Sequence, residues 1–218
     1  MKRVLFALFL VVISLNLTVA GTPMTDQGTK ALSFAINGLG TFGVGSLTGS
    51  SLYAGGTGPY YLIGAGGKYY LSKDMELRGV LTFNMNSEQD KDATGANTDK
   101  ITTTGFGLSP ALLWHMPPAG AVSPYWGAMV QFGYAKKTDT PASGTETSGS
   151  GTTFGLGAVM GAEWFAWDGV SFNAEYQLTF NTNSQSVVNG AGTTIDKTSY
   201  TNFGISSFGV GINVYLGQ

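Results

Sequence analysis

Val170-Ser171-Phe172-Asn173-Ala174-Glu175-Tyr176-Gln177-Leu178-Thr179-Phe180-Asn181 is the stretch on which the fold turns. Val170, Phe172, Ala174, Tyr176, Leu178 and Phe180 share one parity and are apolar, whereas the residues between them are polar. Side chains of a strand point alternately to opposite faces, so the stretch reads as a strand with one apolar and one polar side. Residues 75–86 repeat the pattern with Met75, Leu77, Gly79, Leu81, Phe83 and Met85 in phase. Weaker versions start at Leu32, Tyr61, Phe106, Trp126 and Phe154. A last one runs Phe208, Val210, Ile212, Val214, Leu216. Its phase breaks upstream near Ser206-Ser207, where a β-bulge is expected.

No apolar-phase position in these segments is charged. A water-facing surface would be about 25–35% charged. The opposite phase carries Lys68, Glu76, Arg78, Glu163 and Glu175 among Gly, Ser, Thr and Asn. A soluble barrel turns its apolar face inward and a charged face outward, but here the polar face is too poor in charge and too rich in Gly to be a surface. Small and polar inside with apolar outside is the pattern of a transmembrane β-barrel. Closure also pairs every backbone group in lipid, which an open sheet cannot do. The fold expected is all-β: an eight-stranded antiparallel up-and-down transmembrane β-barrel.

Composition agrees. The chain has 218 residues, 33 Gly, 11% charged residues and no Cys. A disulfide scaffold and a cysteine zinc site are excluded. Lys+Arg 11 against Asp+Glu 13 leaves no basic excess, which argues against nucleic acid as a partner. Low charge with 43% hydrophobic residues argues against disorder.

The N-terminus supplies an address. Met1-Lys2-Arg3 is basic, residues 4–13 are apolar, and Thr18-Val19-Ala20 has small residues where a signal peptidase reads them. That is the pattern of a cleaved secretory signal. A spanning helix needs about 20 apolar residues, and Ser14, Asn16 and Thr18 interrupt this run. The expected organisation is a signal peptide over 1–20, an N-terminal periplasmic segment over 21–29 and the barrel over 30–218.

Connector lengths alternate. The gaps at 43–58, 87–100, 136–150 and 182–199 are long, and those at 72–74, 116–123 and 167–169 are short. This fits an even-stranded meander with short periplasmic turns and long extracellular loops. Trp114, Trp126, Trp164 and Trp167 all fall at the short-turn end, with Tyr69 and Tyr215 at the same level. They are assigned to a periplasmic aromatic girdle. The pairs Gly64/Gly66, Gly105/Gly107, Gly155/Gly157 and Gly209/Gly211 lie on the inward phase. In so narrow a barrel they leave room for long side chains from other strands.

Other motifs carry no chemistry in this setting. Gly38-x-Gly40-x-x-Gly43 matches the dinucleotide fingerprint, but no helical period follows and the next acidic residue is Asp74. His115, the only His, sits beside Trp114 at the short-turn end. A catalytic base or metal ligand needs partners, so it is read as an interfacial structural residue. Pro110 removes a ladder donor within a strand and implies a local break or bulge. No metal site or cofactor is expected.

The inward charges form the candidate site. A hairpin reversing about Lys73 puts Lys68 opposite Arg78, with Glu76 one diagonal step away. A hairpin reversing about Asp168 puts Glu163 opposite Asn173, with Glu175 diagonal to Glu163. In an eight-strand ring these hairpins face each other, so Lys68 and Arg78 are expected to meet Glu163 and Glu175 across the lumen. An unpaired buried charge would be costly, and Arg78 suits bidentate carboxylate pairing.

On these features residues 30–218 resemble the small eight-stranded outer-membrane barrels of the OmpA/OmpX type. Ser207-x-Gly209-x-x-Ile212-x-Val214, with Leu216, resembles the signal such barrels present to their assembly machinery. The family often ends on an aromatic, where this chain has Leu216-Gly217-Gln218. The resemblance implies outer-membrane lipid, lipopolysaccharide and the assembly machinery as partners. It also implies that the paired lumen charges are structural. Fold does not name function, and two readings follow. One is a non-catalytic scaffold displaying surface loops, with an extracellular ligand not named by any motif. The other is a narrow pore for water, ions or small solutes. A lipid-modifying enzyme is disfavoured, because His115 lies at the wrong end of its strand.

Overall fold

The computed structural model describes residues 21–37, 62–91, 97–142 and 144–216. Among them the regular structure is eight strands: β1 (Lys30–Asn37), β2 (Leu62–Ser72), β3 (Met75–Lys91), β4 (Asn97–His115), β5 (Val122–Thr140), β6 (Thr147–Trp167), β7 (Val170–Val188) and β8 (Thr194–Leu216). Each pairs with its sequence neighbours, and β1 pairs antiparallel with β8, closing the barrel. The signal sequence over 1–20, the first long connection and the Gly38–Gly43 motif lie outside the described residues.

The period-2 pattern decides which way each side chain points. Leu81, Leu108, Phe132 and Phe154 stand side by side on one cross-strand row. All four are exposed, Leu81 by 62%. A continuous row of large apolar groups facing outward requires hydrocarbon around it. The inward phase holds the buried polar residues, including Lys68, Glu76, Arg78, Glu163 and Glu175. It also holds an apolar patch of Ala111, Leu113, Tyr125, Met129 and Val159.

Turns set the registers. β2 and β3 reverse through Lys73-Asp74, which puts Lys68 opposite Arg78. β6 and β7 reverse through Asp168-Gly169, with Gly169 at φ 80°, and Glu163 faces Asn173. The phase break in β8 is a bulge at Ser206, since Gln177 faces Ser207 and Leu178 faces Ile205. Pro110 produces a break and no slip. β4–β5 pairing stops at Leu108–Phe132 and resumes at Ala111–Met129 in the same register.

One expectation is corrected. The second to fourth long connections are mostly strand. β5 continues to Thr140, β6 begins at Thr147, β7 runs to Val188 and β8 begins at Thr194. Only residues 141–146 and 189–193 connect these pairs. In the extensions Thr138 faces Ser148, Thr152 faces Ser184 and Thr182 faces Thr201. Apolar alternation ends where the hydrocarbon ends, but Thr still favours extended backbone and the ladder still pairs. Residues 136–140 and 147–150, placed by the sequence in a long connection, are therefore paired strand beyond the apolar belt.

Candidate functional site

β2 and β6 are diametrically placed in the ring, and so are β3 and β7. Lys68 on β2 reaches across to Glu163 on β6, with Nζ 2.9 Å from Oε2. The same ammonium lies 3.4 Å from Glu76 Oε2 on β3. Arg78 on β3 spans to Glu175 on β7 with a two-pronged contact, Nη1 to Oε2 at 2.8 Å and Nη2 to Oε1 at 3.2 Å. All five charged residues are buried.

Burying charge is tolerable only when the remaining hydrogen-bond capacity is used. Glu163 Oε1 accepts from Asn213 Nδ2 at 2.8 Å, from Tyr215 Oη at 2.7 Å and from the Ser171 hydroxyl. Glu175 accepts from Tyr125 Oη at 3.0 Å and Gln177 Nε2 at 2.8 Å. Glycine makes room for these reaches. A Cβ on Gly161 would sit 2.8 Å from Tyr125 Oη, and one on Gly211 would sit 2.5 Å from Asn173 Oδ1.

His115 differs from its sequence reading, which gave it no partners. Its Nε2 lies 3.0 Å from Glu76 Oε2, and its Nδ1 lies 2.8 Å from Ser123 Oγ. The reason is register: β3 and β4 pair through this level, and the β4–β5 turn returns Ser123 beside the end of β4. A carboxylate, an imidazole and a hydroxyl in line are the groups from which a nucleophile relay can be built, but Ser123 is 0% exposed and out of reach of a substrate. The chain of bonds knits three strands together.

Glu76, His115 and Glu163 also bring ligand atoms within 4.8 Å of one another. Lys68 already stands against both carboxylates and supplies the positive charge that a metal would bring.

The aromatic residues divide into two sets. Trp114 and Trp126 stack with centroids 5.0 Å apart, and Trp164 stacks on Phe172 at 5.9 Å. Tyr69 and Trp167 are exposed on the outer face. Trp167 gets there through a bulge, since Phe165 faces Ser171 and Trp167 faces Val170, leaving Ala166 unpaired between them. Tyr215 is the correction: it is buried and belongs to the lumen, not the girdle. Its parity on β8 is opposite to that of Val214 and Leu216, so it must point inward. Its hydroxyl lies 3.3 Å from that of Tyr70. Tyr70, Phe165, Tyr215 and Ala31 form an apolar layer at the short-turn end, with Met24 and Ala121 packed on it.

Sequence reading missed Tyr70, Tyr125, Ser123, Ser171 and Asn213 as members of the network. All lie on the inward phase, and Tyr70 is the cross-strand partner of Glu76. Ile212, Val214 and Leu216 are exposed on the outer face of β8, while Gly209 is buried.

Comparison with known proteins gives a family. The profile described as "Outer membrane protein beta-barrel domain" matches residues 8–216. The crystal structure of Ail, the attachment invasion locus protein of Yersinia pestis, is 10% identical with a TM-score of 0.48, covering 87% of this chain and 99% of that one. The solid-state NMR structure of outer membrane protein AlkL in DMPC bilayers is 12% identical with a TM-score of 0.38, covering 91% of this chain and 95% of that one. No curated protein matches the chain. With the family profile running over nearly all of its length and eight strands closed into an up-and-down ring, the chain belongs to the outer-membrane protein β-barrel family, of the small OmpA/OmpX type.

Proposed function

We propose that the protein is a non-catalytic structural barrel that displays its long strand ends at the cell surface, where an adhesive role is open to them, and whose lumen is closed to solute. The observation that carries this reading is the pair of cross-lumen ion pairs, Lys68–Glu163 and Arg78–Glu175. Each is a strut across the ring, and the two start from one rung of the β2–β3 ladder, where Lys68 faces Arg78. The short turns face the periplasm, as in barrels of this type. Residues 1–20 act as an export leader that is removed. Outer-membrane lipid and lipopolysaccharide surround the apolar belt, and the assembly machinery reads Gly209, Ile212, Val214 and Leu216.

The test is single-channel recording of the refolded chain lacking residues 1–20 in a planar bilayer, with insertion verified by protease protection. A silent bilayer is the expected result. Stable unitary openings would overturn the closed-lumen reading.

A narrow pore is the second reading, favoured by one observation. Arg78 Nε and Asn181 Oδ1 are buried without a protein hydrogen-bond partner among the described residues. Such groups are the sites that internal water satisfies, and a file of them would conduct. This reading expects openings that grow in Glu163→Gln and Glu175→Gln.

A further inference from the structure

Residues 21–29 precede the first strand, yet they are held against the short-turn end of the barrel. Gly21 N donates to Phe165 O at 3.0 Å, and Thr22 N donates to Asp168 Oδ1 at 3.3 Å. At the other end of the segment, Gly28 N donates to Tyr70 O at 2.8 Å, with Gly28 at φ 88°. Between these anchors Met24 packs on the layer of Ala31, Tyr70, Phe165 and Tyr215. The segment thus runs from β1 to the β6–β7 turn as a strap beneath the ion pairs.

The anchor at Gly21 is specific. A Cβ there would fall on the backbone C and O of Trp167 and 2.8 Å from Asp168 N. Backbone cannot give way as a flexible side chain can, so only Gly fits. The residue that fits is also the first one after the small-residue site Thr18-Val19-Ala20.

We propose that Ala20–Gly21 is the processed bond and that the amino group released there is a structural ligand of the barrel's own floor. The inference rests on the reading of residues 1–20 as a cleaved leader. Hydrolysis by the export peptidase consumes one water, leaves a carboxylate on Ala20 and frees an amine on Gly21. That amine takes up a proton to become an ammonium. A peptide N–H offers Phe165 O one donor and no charge. The ammonium offers three donors and a positive charge, one residue from the Asp168 carboxylate. Processing therefore locks the strap, and Met24 then seals the aromatic layer from the periplasm.

The experiment uses the full chain exported by a Gram-negative host and purified folded from its outer membrane. N-terminal sequencing should begin at Gly21. An uncleaved leader overturns the reading of residues 1–20 itself, whereas cleavage at another bond overturns only the lock. Acetylation near neutral pH is then followed at the α-amine, which is less basic than lysine and reacts first. It should be about tenfold slower in the folded barrel than in the unfolded chain, because reaction waits for local opening. Asp168→Asn should recover most of that rate and speed peroxide oxidation of Met24 by a similar factor. Gly21→Val should do the same to Met24 by expelling the anchor. Equal Met24 oxidation in wild type and Asp168→Asn, or an α-amine as reactive folded as unfolded, overturns the proposal. Asp168→Asn alters one exposed turn side chain, so the test stands even if Gly21→Val fails to assemble.

Discussion

Lys68 Nζ and Glu163 Oε2 lie 2.9 Å apart, although their strands are on opposite sides of the ring. No sheet ladder connects them, so the contact is made through the lumen alone. Arg78 and Glu175 repeat the relationship between β3 and β7. These two struts couple the halves of the barrel in a way that hydrogen-bonded neighbours cannot.

Removing one end of a strut leaves a buried charge without its partner. Lys68→Met is expected to destabilise the barrel by about 3–5 kcal/mol. Lys68→Met combined with Glu163→Gln should recover much of that loss. Urea unfolding in lipid vesicles, run as a double-mutant cycle, measures the difference. Losses in Lys68→Met and Glu163→Gln that simply add in the double variant would show that the two residues are not coupled.

Arg78 grips Glu175 with two nitrogens on two oxygens. A lysine ammonium cannot reproduce that fork. Arg78→Lys should cost about 1.5–3 kcal/mol, the worth of a hydrogen bond to a charged group. The same unfolding assay detects it, and a loss below 0.5 kcal/mol, on the scale of a neutral surface change, would mean the fork adds nothing to the charge.

Gly161 leaves the space that lets Tyr125 reach Glu175. In Gly161→Ala the new Cβ would meet Tyr125 Oη at 2.8 Å and the Ala174 carbonyl oxygen at 2.6 Å. Overpacking of this kind costs about 1–3 kcal/mol. Thermal unfolding should report it, and a variant as stable as wild type would show that Tyr125 is free to move aside.

Depth along a strand sets the cost of an outward charge. Leu81 sits midway along the apolar part of β3 and is 62% exposed. Leu81→Arg should destabilise by about 2–4 kcal/mol in lipid, against about 0–1 for Ser150→Arg near the interface. Equal costs would mean that the β5–β6 extension lies within hydrocarbon.

The extensions themselves are open to hydrogen exchange. Thr138 and Ser148 are ladder partners beyond the apolar belt. Their amides should exchange far more slowly than those of a loop, and exchange at the rate of an unstructured peptide would return this stretch to the loop first expected of it.

The barrel was legible in the amino-acid sequence, because parity is a local property. Val170 to Asn181 declares its two faces without reference to any other strand, and outward Leu81, Phe132 and Phe154 follow from the same alternation. Tight turns at Lys73 and Asp168 made the Lys68–Arg78 and Glu163–Asn173 registers legible, since a short turn leaves a hairpin little freedom to slip. Parity also held the inward course of Tyr215, although level along the strand had assigned it to the girdle. The tertiary structure alone decided what depends on closure or on backbone pairing. His115 gained Glu76 and Ser123 because three strands bring them to one height. Thr138 to Thr140 and Thr147 to Thr153 became strand because ladder bonds form without an apolar phase to announce them. Gly21 found its place against Trp167 and Asp168 only once the ring had brought the β6–β7 turn to the end from which the chain enters.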